Sequence, residues 1–333
     1  MITKLSQTTT QAPPLNVNYN GFIHYSIVTV ILMATLVCLF TPSVLFFKQI
    51  AANTLYVMLG QFLIGFIFFF LRQEKLMIIT MLCCGALCLY LKSSANKQMR
   101  LAAVTTNPSL KISHVNLGNA ENDYDSVVNY LLNLDADFVS FQELTPDWNA
   151  QLISRLSDRF QYIQTMTRLD QYGMGFFSKV PLESIDTVYY REIPNFAATI
   201  QVGGKTCNII SCQLVPPVNQ AAFFVIENHF AYLNAYMKTL PGSIIVLGDL
   251  HLPPWSSEVQ RFKEMSHLED SRRDINPRNI DGSISLPRIP VDHIFFSEEF
   301  DCTSFTEIGN NTIGRVGITG TYQLNSLHAE MAE

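Results

Sequence analysis

Three long apolar runs fill most of the first hundred residues, and runs without a polar face constrain this chain more than any other feature. They extend from Gly21 to Phe47, from Thr54 to Leu71 and from Leu76 to Leu91, divided by Lys48-Gln-Ile and by Arg72-Gln-Glu-Lys75. Each approaches the roughly 20 residues that cross a bilayer core. A helix through Phe62-Leu-Ile-Gly-Phe-Ile-Phe-Phe-Phe70 would be apolar on every side, which suits lipid better than the core of a soluble domain. A cleaved signal peptide fits poorly, because only Lys4 precedes a polar tail of about twenty residues and the apolar run is too long. The expected division is a polar tail over 1–20, a three-helix membrane anchor over 21–92, a linker over 93–108 and a folded domain over 109–333.

Three crossings would place the tail and the folded domain on opposite sides of a membrane. Lys4, Arg72 and Lys75 then flank one face, and Lys48, Lys92, Lys97 and Arg100 the other. The slight excess leans towards a cytoplasmic domain under the positive-inside rule, but near balance leaves the side open. Four of the seven cysteines lie in the apolar runs, leaving Cys207, Cys212 and Cys302 beyond them. With no C-x-x-C pair and no even set, neither a zinc site nor a disulfide framework is expected there. The net charge of −6 argues against broad electrostatic binding of nucleic acid, although a local basic cleft is compatible with it.

Past residue 108, strand and helix patterns alternate. Lys111 to Asn116 reads as a strand. Apolar residues at Val127, Val128, Leu131, Leu132 and Leu134 have helical spacing within Tyr124 to Leu134. Further helices are expected over Trp148 to Phe160 and Ala221 to Leu240. Strands are expected over Gly173 to Ser178, Asn208 to Leu214, Ser243 to Gly248, Pro290 to Phe296 and from Thr321 onward. Four strand ends carry an acid or a histidine: Asp137-Phe-Val-Ser-Phe-Gln-Glu143, Leu247-Gly-Asp249-Leu-His251, Pro290-Val-Asp292-His293, and Ser326-Leu-His328. A charged group closing an apolar strand emerges at the sheet rim, where several strands can converge on one ligand.

These residues, in this order, resemble the endonuclease/exonuclease/phosphatase superfamily, and most closely its membrane-anchored bacterial members. The resemblance implies an α/β (α+β) four-layer sandwich of two packed β-sheets flanked by helices, here preceded by three transmembrane helices. It implies a metal-dependent phosphoester hydrolase of phosphodiesterase, nuclease or phosphatase type, using Mg²⁺ or Mn²⁺, in a bacterial inner membrane. Its partners would be a phosphoester substrate and the lipid bilayer, with no obligate protein partner. By the same resemblance Glu143 is a metal ligand and Asn116 helps to fix the site. Asp249 orients or deprotonates water, and Asp292 orients the terminal catalytic histidine, His328.

Three positions depart from the pattern. Gln213 stands where the family has a phosphate-binding histidine, His251 where it has an asparagine, and Leu327 where a carboxylate helps to hold the metal. Gln213 and His251 can still hydrogen-bond a phosphate, whereas leucine offers no lone pair. A catalytically inactive domain of the same fold, kept as a membrane-tethered binding or scaffold module, is therefore the rival expectation. His114, His229, His267 and His293 read as structural residues. Arg272 and Arg273 read equally well as a phosphate-binding pair or a solvated turn, and Trp255 as a packing anchor or a stacking platform.

Overall fold

A computed structural model describes residues 19–96, 98, 100–120, 123–274, 287–310 and 313–325. Four helices come first: α1 (Tyr19–Phe40), α2 (Leu45–Ala52), α3 (Thr54–Phe70) and α4 (Glu74–Ala95). The first apolar run, expected to continue to Phe47, breaks after Phe40. There Thr41 has a φ of 41°, and Pro42 cannot donate the next helical hydrogen bond. Its tail becomes α2, an elbow bent by 67° from α3. This corrects the expectation of three simple crossings. Among the described residues two helices, Gly21–Phe40 and Glu74–Ala95, are long and apolar enough to span a membrane, and a third span requires counting bent α2 and α3 together. Lys48, read above as a flanking charge, is instead buried in an ion pair with Glu258.

The remaining chain forms β1 (Ser109–Asn116), α5 (Tyr124–Leu134), β2 (Phe138–Gln142), α6 (Pro146–Leu156), β3 (Tyr162–Met166), β4 (Met174–Ser178), β5 (Ser184–Tyr190) and β6 (Ile193–Val202). Then come β7 (Lys205–Cys212), α7 (Gln220–Met237), β8 (Ser243–Asp249), α8 (Ser257–Ser266), β9 (Glu269–Asp270), β10 (Asp292–Phe296), β11 (Phe300–Asn310) and β12 (Gly314–Leu324). Two six-stranded mixed sheets result, ordered β11-β12-β1-β2-β4-β3 and β5-β6-β7-β8-β10-β9. The pairs β1/β2 and β7/β8 are parallel, and the other pairs antiparallel. One apolar cluster, including Ile112, Phe138, Phe176, Ile209 and Ile294, fills the space between the sheets. Helices α5 and α6 cover the first sheet through Val128, Leu131 and Leu152, and α7 and α8 cover the second through Ile226, Phe230 and Phe262.

Local chemistry sets the element ends. Asp123 caps α5 by accepting from the Ser126 amide at 3.1 Å, and Asp135 closes it in the left-handed region at φ 52°. Strands β3, β5, β6, β9 and β11 went unread in the sequence. In β5 most residues are exposed, so no inside-outside alternation marks it. The last strand begins at Gly314, earlier than expected, and pairs with both β1 and β11.

The four N-terminal helices are bonded to the sandwich. Trp255 is buried and its Nε1 donates to Ala51 O at 2.9 Å, which makes it a packing anchor. Tyr90 Oη donates to Trp255 O at 3.0 Å, and Gln260 Nε2 to Ser94 O at 2.7 Å. The stretch expected as a linker is also held. The Ala102 amide donates to Cys302 O at 2.9 Å, while Gln323 accepts from the Thr105 amide at 3.0 Å and donates to Ala103 O at 2.8 Å.

Candidate active site

Strand ends from both sheets meet at one rim. Asn116 closes β1, and its Nδ2 donates to Glu143 Oε1 at 3.2 Å and to Asp249 Oδ2 at 3.1 Å. Its Oδ1 accepts from the Gly118 amide at 2.9 Å. One side-chain amide thus gathers two carboxylates that lie 106 positions apart in the chain. A Cβ at residue 118 would lie 2.0 Å from Glu143 Oε2, so a larger residue there would push the carboxylate off this turn.

Gln142 closes β2 and locks the two sheets together. Its Nε2 donates to Ser211 Oγ at 3.1 Å and to Cys212 O at 2.9 Å, and its Oε1 accepts from the Asp249 amide at 2.9 Å. Ser140 Oγ adds a bond to Ser211 Oγ at 2.9 Å. Gly248, at φ 147°, lets β8 approach β7, since a Cβ there would stand 1.8 Å from Cys212 O.

Two residues of the rim have left-handed backbone, Glu143 at φ 56° and His251 at φ 52°. Asp135 and His267 share that conformation, but they close α5 and α8, where it is routine. Glu143 and His251 follow strands, and such backbone costs of order 1–3 kcal/mol per residue. It brings Glu143 onto Asn116 and places His251 Nδ1 3.3 Å from Asp249 Oδ1. The His251 amide also donates to Asp249 Oδ1 at 2.8 Å.

Asp292 opens β10 directly opposite Asp249 in the antiparallel register. His114, on β1, donates from Nε2 to Asp292 Oδ1 at 3.2 Å, and Arg272 Nη2 donates to Asp292 O at 3.1 Å. Burial, joined by the negative charge of Asp292, pushes the Asp249 carboxyl up to about 7. Asp292 is buried too, which pushes it up. The hydrogen bond and charge of His114, with Arg315 and Arg272 nearby, outweigh that and hold it below the usual carboxylate range. The two carboxyls are thereby set apart, one kept ionised and the other able to take or give a proton near neutral pH. Burial lowers the His251 imidazole against the charges of Glu143 and Asp292, and its buried Nε2 has no hydrogen-bond partner.

Of the residues singled out from sequence, Asn116, Glu143, Asp249 and His251 come together, with Asp292 on the neighbouring strand. Gln213 follows β7 fully buried, and neither end of its amide has a partner. His328 and Leu327 lie outside the described residues. His114 was read as structural, yet it makes the bond to Asp292 that the resemblance assigns to His328. Its sequence signal was its place two residues before Asn116, on the same strand face. His293 is structural: Nε2 bonds Leu252 O at 2.8 Å and the ring stacks on Phe295. Arg272 and Arg273 form no open basic patch. Both are buried, Arg273 Nη1 donating to Asp270 O at 2.5 Å and Arg272 lying over the Phe305 ring at 5.2 Å.

Beside Glu143 a cleft of about 550 Å³ is lined by Gly118, Tyr124, Asp147, Trp148 and Asp170. Among the described residues no three His, Cys, Asp or Glu side chains form a metal cage. Glu143 and Asp249 are nevertheless hard oxygen donors held on one amide. That donor set suits a cation such as Mg²⁺ or Mn²⁺, which shares its shell with water and phosphate oxygens.

Two stacked mixed sheets with amides and carboxylates collected at one rim define a phosphoesterase-type sandwich. The model of the Endonuclease/Exonuclease/phosphatase family matches residues 114–310, and the chain belongs to that family. Solved structures share the fold. An endonuclease/exonuclease/phosphatase from Beutenbergia cavernae is 16% identical, with 66% of this chain and 72% of that chain covered at a TM-score of 0.55. D. rerio TDP2, humanized by 14 mutations, is 16% identical, with 65% and 99% covered at 0.52. A family protein from Bacteroides thetaiotaomicron is 14% identical, with 66% and 100% covered at 0.51. No curated protein matches the chain significantly.

Proposed function

We propose that the chain is a membrane-anchored, divalent-metal-dependent phosphoester hydrolase, with a tail over 1–20, an anchor over 21–92, a linker over 93–108 and the catalytic domain over 109–333. The observation that carries this reading is the Asn116 amide shared by Glu143 and Asp249, with Asp292 directly across from Asp249. Glu143 would hold Mg²⁺ or Mn²⁺, which when bound stabilises charge on the non-bridging phosphate oxygens.

Asn116 fixes the two carboxylates against each other. Asp249, raised towards neutrality by burial and by Asp292, can accept a proton from an attacking water. His251 and Gln213 have buried nitrogens without partners, and both can donate to a phosphate oxygen. Asp292 holds His114 and, by the family pattern, would orient His328. Among the structural neighbours, D. rerio TDP2 is known in complex with a single-strand DNA product. That agrees with phosphodiester chemistry on this fold, although the net charge of −6 does not favour DNA here.

The test is turnover by the full chain in detergent, with Mg²⁺ or Mn²⁺, of bis-p-nitrophenyl phosphate and p-nitrophenyl phosphate. Hydrolysis of either is expected, and Glu143→Ala or Asp249→Ala should each lower it by about 10³-fold or more. No turnover, together with no calorimetric binding of either cation at millimolar levels, would overturn the reading in favour of an inactive binding module.

A further inference from the structure

The anchor meets the sandwich at the rim that carries the site. Helix α2, which joins the end of α1 to the start of α3, faces the sandwich through Lys48 to Glu258 and Ala51 to Trp255, and the end of α4 does so through Ser94 to Gln260. The opposite ends lie together elsewhere, because His24 near the start of α1 bonds Gln73 in the turn between α3 and α4 at 3.0 Å. A bilayer that accepts α1 and α4 therefore ends, on the domain side, at the level of the elbow helix α2.

That elbow has two unlike faces. Lys48 and Ala51 are buried, while Phe46 is 63% exposed and Phe40, just before the elbow, 76% exposed. A short helix with an uncovered apolar face at the end of a span suits the boundary between head groups and acyl chains. The sandwich meets the elbow at Phe223, whose ring centroid lies 4.3 Å from Lys48 Nζ. Val218 is 70% exposed and Phe224 63%, next in sequence to Pro217 and Phe223. Pro217 and Phe223 line a cavity of about 110 Å³ with Thr41 and Asn53 of the elbow region and with His251. His251 is the residue whose Nδ1 lies 3.3 Å from Asp249 and whose Nε2 lacks a partner. The elbow and the neighbours of Val218 and Phe224 thus share one cavity with a residue of the candidate site. Lys48 is occupied by Glu258, so the elbow offers no free cation there to draw in a polyanion.

Resting on the hydrolase reading above, we infer that the substrate is a phosphoester carried by a lipid of the same bilayer. Its acyl part stays in the leaflet beside Phe46, Val218 and Phe224, and its head group reaches the rim past His251. A water oxygen bonds to phosphorus as the P–O bond to the leaving alcohol breaks. One water proton goes to the leaving oxygen, and the other stays on the phosphate or passes to solvent.

The test uses the full chain reconstituted in vesicles containing phosphatidylcholine, phosphatidylethanolamine, phosphatidylglycerol and phosphatidic acid, with bis-p-nitrophenyl phosphate and acyl-free glycerophosphoesters as soluble comparisons. At least one vesicle lipid is expected to be cleaved with kcat/KM about tenfold or more above its acyl-free counterpart. Phe46→Asp combined with Phe224→Asp should lose that preference by about tenfold while leaving p-nitrophenyl ester turnover unchanged, since both side chains are exposed and outside the site. Cleavage of soluble esters without vesicle lipids, or a preference untouched by the double variant, overturns this inference and leaves the hydrolase reading intact. No turnover of any ester overturns both.

Discussion

The layer between the two sheets is made by the same strands at both ends, yet its two halves have opposite character. On β1 the inward positions run Leu110, Ile112, then His114 and Asn116; on β2 they run Phe138, then Ser140 and Gln142. On β7 Cys207 and Ile209 give way to Ser211, and on β8 Ile245 and Leu247 give way to Asp249. β10 runs the other way, from Asp292 to Ile294 and Phe296. Outward positions on the same strands, such as Val115, Phe141, Ile210 and Val246, stay apolar beneath the helices. The polar half is not a set of strands running into solvent, because these side chains are buried. Burying them is tolerable only because they bond across the sheets, as Ser140 does to Ser211 and His114 to Asp292. The apolar half supplies stability, and the polar half gives part of it up to hold a site.

The largest expected effect breaks the apolar half. Phe176→Ala should cost about 3–5 kcal/mol of stability, read by denaturant titration of the full chain in detergent. Activity per folded molecule should not change, because Phe176 packs on Phe138 and Phe196, away from the rim. Equal loss of activity would show that the halves are not separable.

Next comes the support beneath the carboxylates. His114→Ala should lower kcat by about 10–100-fold with little change in KM, and His114→Gln, which can still donate to Asp292, should recover part of it. A purely structural histidine would instead lower the folded fraction and leave kcat per folded molecule intact.

The smallest effect has the opposite sign. A carboxyl whose folded pKa lies above its unfolded value withdraws stability as pH rises between the two, here from about 4 to about 7 for Asp249. Asp249→Asn should therefore match the native chain below about pH 4 and become progressively more stable than it as pH rises to about 7, while losing turnover. A melting-temperature series across pH reads this directly, and a stability difference that does not grow with pH would contradict it.

Much of this arrangement was legible in the sequence. Apolar strands ending in Glu143 and Asp249 announce rim carboxylates, and helical spacing gives α5 with its Tyr124 and Leu134 bounds. Other parts were hidden for physical reasons. His114 sits in mid-strand, where alternation alone does not distinguish a packed imidazole from one bonded to a carboxylate 178 residues away. The break at Pro42 lies inside an apolar run whose composition does not change across it, so hydropathy reads one span where the backbone turns. The buried state of Arg272 depends on Phe305 and Asp292, neither near it in sequence.

The bonds that pin Ala102, Ala103 and Thr105 to Cys302 and Gln323 leave the head of the molecule without a swinging tether. In a bilayer such a head rides at one height and tilt, and sweeps out only the plane beneath it. For the bilayer-borne substrate inferred above, encounter is then a two-dimensional search, so surface density, rather than concentration in the surrounding water, sets how often the two meet.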